Sequence, residues 1–342
     1  MRVLQVSAAL LLLAVICNGQ EATDQTQFRA EPNTKAIFSG IAGGSVAFPF
    51  ERFEHGHLLA WDHEGSPTKP SILVFGRDGK LEREVVVWFP GAVRVNIGDV
   101  AITKGGRLVA TGAAAQENGA IADFLAAFDK GGKMQNVVRT SPYVANLICT
   151  TADEETVWTF GWDRHVQSSS KHYSMLREYS MEKGLRSELL DRATLPVDHL
   201  LMKGASLGDV GLHCTSSAVA LHIVQTGQLI EHRLKDGAQL TYTKLPKVAK
   251  DVRVTGYTMT EDGELFASMS IENTSPLTYG LFRLQKHNSE GQWQPVDGML
   301  FSATKEKNSM RILGSEDNDV VYLSDSARDA VTWAHMKKLL GK

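Results

Sequence analysis

The sequence predicts an all-β fold, and three observations carry that prediction. Apolar residues alternate with polar ones at period two through short runs, as half-buried strands require. Tight turns containing Gly and Asp separate the runs. One unit also recurs: an apolar strand, a tight turn, then a second strand. Its clearest copies are 72–81, 124–134, 175–185 and 229–237, with a looser one at 281–293. The last apolar residues before each turn are Phe75, Phe128, Tyr179, Leu234 and Leu284, at spacings of 53, 51, 55 and 50. Trp333 follows 49 residues later, and there the chain ends before a partner strand. A second hairpin precedes each copy. Four strands in roughly 50 residues make one blade of a β-propeller. The prediction is a six-bladed β-propeller of four-stranded antiparallel blades, its ring closed by an N-terminal strand.

The elements follow in chain order. Residues 1–19 read as a signal peptide, with Arg2 as the positive start, an apolar stretch from Val3 to Ile16, and Cys17-Asn18-Gly19 for cleavage. The stretch is short for a membrane span, which needs about 20 apolar residues. An uncleaved anchor and a lipidated Cys17 are the other readings, and Ile16 directly before the cysteine argues against lipidation. Residues 20–35 are polar and read as a flexible leader. Residues 36–342 read as a single domain. In it, 36–41 (AIFSGI) is the expected closing strand of the sixth blade, which removes an open sheet edge. The inner hairpins include 100–110, turning at Lys104-Gly105-Gly106, and 257–267, turning at Glu261-Asp262-Gly263. Asp-Gly and Gly-Gly pairs supply the positive φ that tight hairpins need. A stack of β-sandwiches also has short strands and frequent turns, but the regular spacing and the unpaired last strand favour the ring.

Composition sets limits. Of 342 residues, 43% are hydrophobic and 22% charged, which fits a globular chain and excludes a disordered or collagen-like one. The net charge of −3 offers no basic field, so no nucleic-acid partner is expected. No segment after residue 19 is long and apolar enough to span a bilayer, so no transmembrane segment is expected in the mature chain. Export to the periplasm or the extracellular space is the expected location.

The blade pattern apolar-x-apolar-x-x-x-Gly-x-apolar, as in Val100-x-Ile102 to Leu108, resembles the secreted six-bladed propellers of the NHL and TolB-like kind. The resemblance is at the level of fold and covers most of the mature chain. It implies binding over the central channel and carries no activity with it.

Strand order sends the A–B and C–D turns of each blade to one face and the B–C and D–A loops to the other. The first set is short. The second is long, as at 62–70, 88–98, 112–121, 162–172 and 191–209. Function concentrates in such loops on a rigid scaffold. Two of them open alike, with Trp61-Asp62-His63 and Trp162-Asp163-Arg164-His165. An aromatic beside charged groups suits contact with a peptide or sugar. In the plainer reading each Trp packs beneath its loop and each Asp caps a turn.

The alternative is a metal site at the channel mouth. Asp99, Asn146 and Asp209 fall at or near the starts of inner strands, where hard oxygens hold Ca²⁺ or Mg²⁺. Six-bladed sugar lactonases resemble this placement, with Glu51 as the counterpart in the first blade. The 11 histidines include His55-Gly56-His57, but no zinc motif is present and they read as scattered. The string 204–208 (GASLG) matches a hydrolase elbow without the strand–helix context that elbow needs, and is read as coincidence. Cys149 and Cys214 are placed in one register on neighbouring inner strands, pointing the same way round the ring, and are expected as two buried free thiols. Asn273-Thr274-Ser275 is a glycosylation sequon that matters only in a eukaryotic secretory pathway.

The leading function is that of an exported, non-catalytic propeller binding an envelope or extracellular protein, peptide or glycan on its long-loop face, with no cofactor. The alternative is a divalent-metal-dependent hydrolase or lactonase at the channel mouth, with Ca²⁺ as cofactor.

Overall fold

The computed structural model describes residues 25–29, 50–61, 69–77, 81–164, 172–195, 210–235, 237, 239–304, 309–323, 330–334 and 336. The chain opens with β1 (Gln25–Arg29). A first antiparallel unit follows: β2 (Phe50–Glu54), β3 (His57–Trp61), β4 (Ser71–Phe75) and β5 (Leu81–Val86). The second unit is β6 (Ala92–Ile102), β7 (Leu108–Gln116), β8 (Ile121–Phe128) and β9 (Met134–Arg139). The third is β10 (Tyr143–Thr150), β11 (Thr156–Asp163), β12 (Ser174–Ser180) and β13 (Gly184–Asp191). The fourth is β14 (Val210–Cys214), β15 (Ala218–Ile223), β16 (Gln228–Arg233) and β17 (Leu240–Lys244). The fifth is β18 (Val252–Met259), β19 (Leu265–Ile271), β20 (Thr278–His287) and β21 (Glu290–Ser302). The last has β22 (Arg311–Glu316), β23 (Asp319–Leu323) and β24 (Ala330–Ala334), with β1 as its fourth strand. Each unit is a meander, and together they make a β-propeller. Among the described residues no helix is long and apolar enough to cross a membrane.

The core lies between units rather than within them. One apolar cluster joins Leu59 and Ile72 to Ile97 and Leu108, and the next joins Val109 and Leu125 to Ile148 and Val157. Others join Trp158 and Met175 to Leu212 and Leu221, Leu229 to Met259 and Leu265, and Phe266 to Ile312 and Tyr322. The cluster of Phe53 and Leu58 with Leu313 and Val321 brings the last unit back to the first. Middle strands are therefore buried on both faces, as the unbroken burial of β11 from Thr156 to Gly161 shows. The outer strand β9 keeps a strict half-buried/exposed alternation.

Inner strands converge on the axis and must twist sharply. β6, β10, β18 and β22 each break register with their partner, at Gly98, Asn146, Thr255 and Leu313. Such bulges increase local twist. β2 and β22 meet as a parallel bridge, Phe53 against Gly314 and Glu54 against Ser315, which closes the ring at its centre.

Four expectations need correction. The closing strand is β1, antiparallel to β24 from Gln25 opposite Ala334 to Arg29 opposite Ala330. It comes from the stretch read as a leader, while 36–41, like 1–19, lies outside the described residues. The second-unit loops at 88–98 and 112–121 are largely strand, because β6 and β7 continue their pairing up to Ala92 opposite Gln116. A tight turn at Asn118-Gly119 then leads into β8, with Gly119 at φ 80°. The short-turn face is not uniformly minimal either, since β20 and β21 run on as a long hairpin to His287 opposite Glu290.

The fourth correction concerns the cysteines. Cys149 and Cys214 form a disulfide, with Cα atoms 5.5 Å apart. The inner turns of the third and fourth units open at Thr151 and Thr215, whose N–H groups donate to Thr156 and Ala218. Cys149 stands two residues before its turn threonine and Cys214 stands one before its own. An odd offset puts the two side chains on opposite faces of equivalent strands, so across the seam they face each other.

Candidate functional site

Side chains of the inner strands meet near the axis. Arg52 on β2 reaches across two neighbours. Its guanidinium donates to the carbonyl of Val100 (2.9 Å), the carbonyl of Ile148 (3.0 Å) and Oδ2 of Asp99 (3.1 Å). Asp99, one residue past the β6 bulge, is 1% exposed and accepts from the N–H groups of Val100 (2.9 Å) and Ile148 (2.8 Å). Burial pushes the Asp99 carboxyl above its usual range, against the pull of Arg52 and of the two N–H donors. Burial opposes the Arg52 charge in turn, and Asp99 with Glu54 more than offsets it. Glu54 accepts from the Ile102 N–H at 2.9 Å and ties the first unit to the second nearer the short turns.

The fourth unit adds a pair of histidines. His213 Nε2 and His222 Nδ1 are 2.9 Å apart, and the His222 ring lies 4.2 Å from that of Tyr257 in the fifth unit. A Cβ at Gly211 would run into the His222 ring, so the glycine makes room for it. Burial pushes His213 down to about 3, with the Arg52 charge adding to the effect. His222 is pushed well below its usual value by burial and by His213. Both rings are neutral at physiological pH.

Among the described residues, those singled out from sequence lie in different seams. Trp61 is 3% exposed and belongs to the core between the first and second units. Trp162 is partly buried against the cluster between the third and fourth. Arg164 stands over the Trp162 ring at 5.7 Å and makes a two-pronged ion pair with buried Asp123 of the second unit. The Asp123 hydrogen bond raises the Arg164 pKa, and the pair holds a seam rather than presenting a free charge. Asp163 is half-buried at the end of β11. Asn146 is the half-buried bulge residue of β10. Asp62, His63, His165 and Asp209 lie outside the described residues.

Sequence reasoning missed two exposed apolar residues on the long-loop face. The extension of β6 and β7 lifts the second unit there, with Val93 51% and Ile121 48% exposed. Close by, Lys69 stands 5.4 Å from the Trp88 ring, and Phe89 meets Phe124 edge-on at 4.6 Å. The signal was the unbroken strand pairing through the Ala-rich stretch 113–115, which composition alone reads as loop. On the opposite face a polar groove of roughly 860 Å³ lies between the inner turn and the long hairpin of the fifth unit. Its cations Arg283 and Lys286 are paired with Glu264 (3.5 Å) and Glu231 (2.7 Å).

Fold and axis together define a β-propeller whose inner strands are tied by a buried ion pair. No family model matches the chain, and no curated protein matches it. Among solved structures it is similar to hydrazine synthase from Kuenenia stuttgartiensis, at 13% identity over 88% of this chain and 81% of that one, with a TM-score of 0.48. It is also similar to a protein described as TolB from Agrobacterium tumefaciens, at 11% identity over 83% of this chain and 88% of that one, with a TM-score of 0.44. The likeness is one of fold.

Proposed function

We propose that this chain is an exported six-bladed propeller that works without catalysis and holds an envelope or extracellular protein, peptide or glycan on its long-loop face. The observation that carries the reading is the raised tip of the second unit. It exposes Val93 and Ile121 on the unit that also carries the half-buried rings of Trp88 and Phe89, the mix of apolar and aromatic surface that partner contacts use. The apparent signal peptide and the Cys149–Cys214 disulfide both fit an oxidising compartment. The six meandering units and their apolar seams support the blade count.

The test compares the mature protein with Val93→Asp/Ile121→Asp and Trp162→Ala in cross-linking to envelope or secreted proteins and on a glycan array. Partners retained by the parent are expected to fall at least tenfold for the double variant. They should be unaffected by Lys133→Glu on the opposite face. Equal retention by all variants overturns the reading. A product that still begins at Met1 removes the export part of it.

The metal-dependent hydrolase has less support. Both Asp99 oxygens are engaged, so Ca²⁺ binding there requires Arg52 to withdraw. Metal content of the purified protein, with melting in the presence and absence of calcium, decides it. Near-stoichiometric calcium that raises the melting temperature would favour that reading.

A further inference from the structure

We propose that the Cys149–Cys214 bond is the lock of the seam between the third and fourth units, and that this seam reaches its full stability only where an oxidant of the disulfide class makes that bond. The other seams are crossed by polar links. Main-chain bridges join β2 to β22 and β17 to β21. Arg52 spans the first three units, and Thr111 donates to the carbonyl of Ala145. Thr255 donates to the carbonyl of Met310, and Ser315 to that of Met259. At the third–fourth seam the apolar cluster closes over two polar atoms it does not satisfy. Trp158 and His232 meet there with ring centroids 5.2 Å apart. Trp158 Nε1 and His232 Nδ1 are buried without a hydrogen-bond partner among the described residues. Each unmet polar group weighs against closure, and the covalent cross-link sits in this same seam. Cys149 lies directly opposite Trp158, and Val219 lies opposite both Cys214 and His232.

The bond encloses a separation of 65 residues, so it removes much freedom from the unfolded chain. Cys149 is 2% exposed and Cys214 is half-buried, so the Cys149 side of the bond is shielded once the seam shuts. The chemistry is a thiol–disulfide exchange. One thiolate attacks a sulfur of the oxidant, the second displaces it from the mixed disulfide, and the oxidant leaves as a dithiol carrying both electrons and both protons. The inference is independent of what the loop face binds.

The experiment uses the wild-type mature chain. Alkylation after unfolding without reductant, read by peptide mapping, should leave Cys149 and Cys214 unmodified and joined. Reduction should lower the melting temperature by roughly 5 °C. It should also speed amide exchange at Ile148 and Leu212 at least tenfold more than at Ala101 and Val109 in the second unit. Reductant should not shift the melting of Cys149→Ser/Cys214→Ser. Free thiols in the unreduced protein, a melting curve indifferent to reductant, or exchange that rises evenly through the molecule would each overturn the proposal.

Discussion

Asp99 shows how much a single side chain is asked to do at the axis. A carboxylate near an inner strand's start is what a channel-mouth metal site uses, and the sequence offers Asp99 for it. Its position one residue past a bulge turns it instead onto Arg52 and the N–H of Ile148. Removing it leaves a buried guanidinium without its counter-charge. Asp99→Ala is therefore expected to cost about 3–5 kcal/mol in denaturant unfolding, most of it the penalty of the stranded Arg52. A loss under 1 kcal/mol would mean that the clasp contributes little.

His213 and His222 give the axis a pH dependence whose sign follows from their direction. Both folded pKa values lie below the ordinary 6.5, so the fold holds neutral rings where the unfolded chain would take up protons. Their contribution is complete above about pH 6.5. It shrinks as pH falls toward about 3, by up to about 1.4 kcal/mol per pH unit for each ring. Arg52 faces His213, and Tyr257 packs on His222. Melting temperatures at pH 7.5 and 5 should diverge for the parent and converge for His213→Gln/His222→Gln. A pH profile unchanged in the double variant would place the acid sensitivity elsewhere.

At the scale of elements, the strand that closes the ring is the most instructive. β1 reads Gln-Thr-Gln-Phe-Arg, with a single aromatic. An outermost strand gains from main-chain bonds to its neighbour, and those bonds ask little of side chains. Apolar periodicity therefore points to 36–41 and passes over 25–29. Two truncations separate the segments. A chain starting at residue 24 keeps β1 and should melt like the mature protein. One starting at residue 31 keeps 36–41 but loses β1, and should melt earlier and less cooperatively, with β24 left as an open edge. Identical curves would dismiss β1 as the closure.

The inner turns carry a second signal at this scale. Thr103, Thr151, Thr215 and Thr260 are all buried at turn openings. Their hydroxyls bond within the turn, to Asp153 from Thr151 and to Asp262 from Thr260, for example. A recurrent threonine is visible in the sequence once the turns are known. It was hidden because hairpin reading weighs Gly and Asp first. Counted from these threonines, the two cysteines differ in parity, which the looser alignment of whole strands concealed.

At the scale of the whole molecule, the ring is built from seams, and each holds by different means. This explains why the candidate site was only partly legible. Trp61 ends the second strand of its unit and Trp162 stands one residue before the end of its own, so the two loops do open alike. Trp61 is buried in the first–second seam and Trp162 partly buried in the third–fourth one. Arg164 could be marked as a charge, but its buried partner Asp123 lies 41 residues away in another unit. Val93 and Ile121 stand out only because β6 and β7 continue their pairing to Ala92 opposite Gln116.

What the sequence determined by itself is the class of fold. Strand periodicity, turn chemistry and the spacing of about 50 residues are local or repeating, so they survive without coordinates and lead to a propeller. The tertiary structure decided which segment closes the ring, that the cysteines face each other, and that the axis holds an ion pair and two neutral histidines. Those features depend on register parity, on bulges that redirect single side chains, and on contacts between units far apart in the chain. A one-residue shift in a strand reverses the face every side chain presents, and composition does not record it.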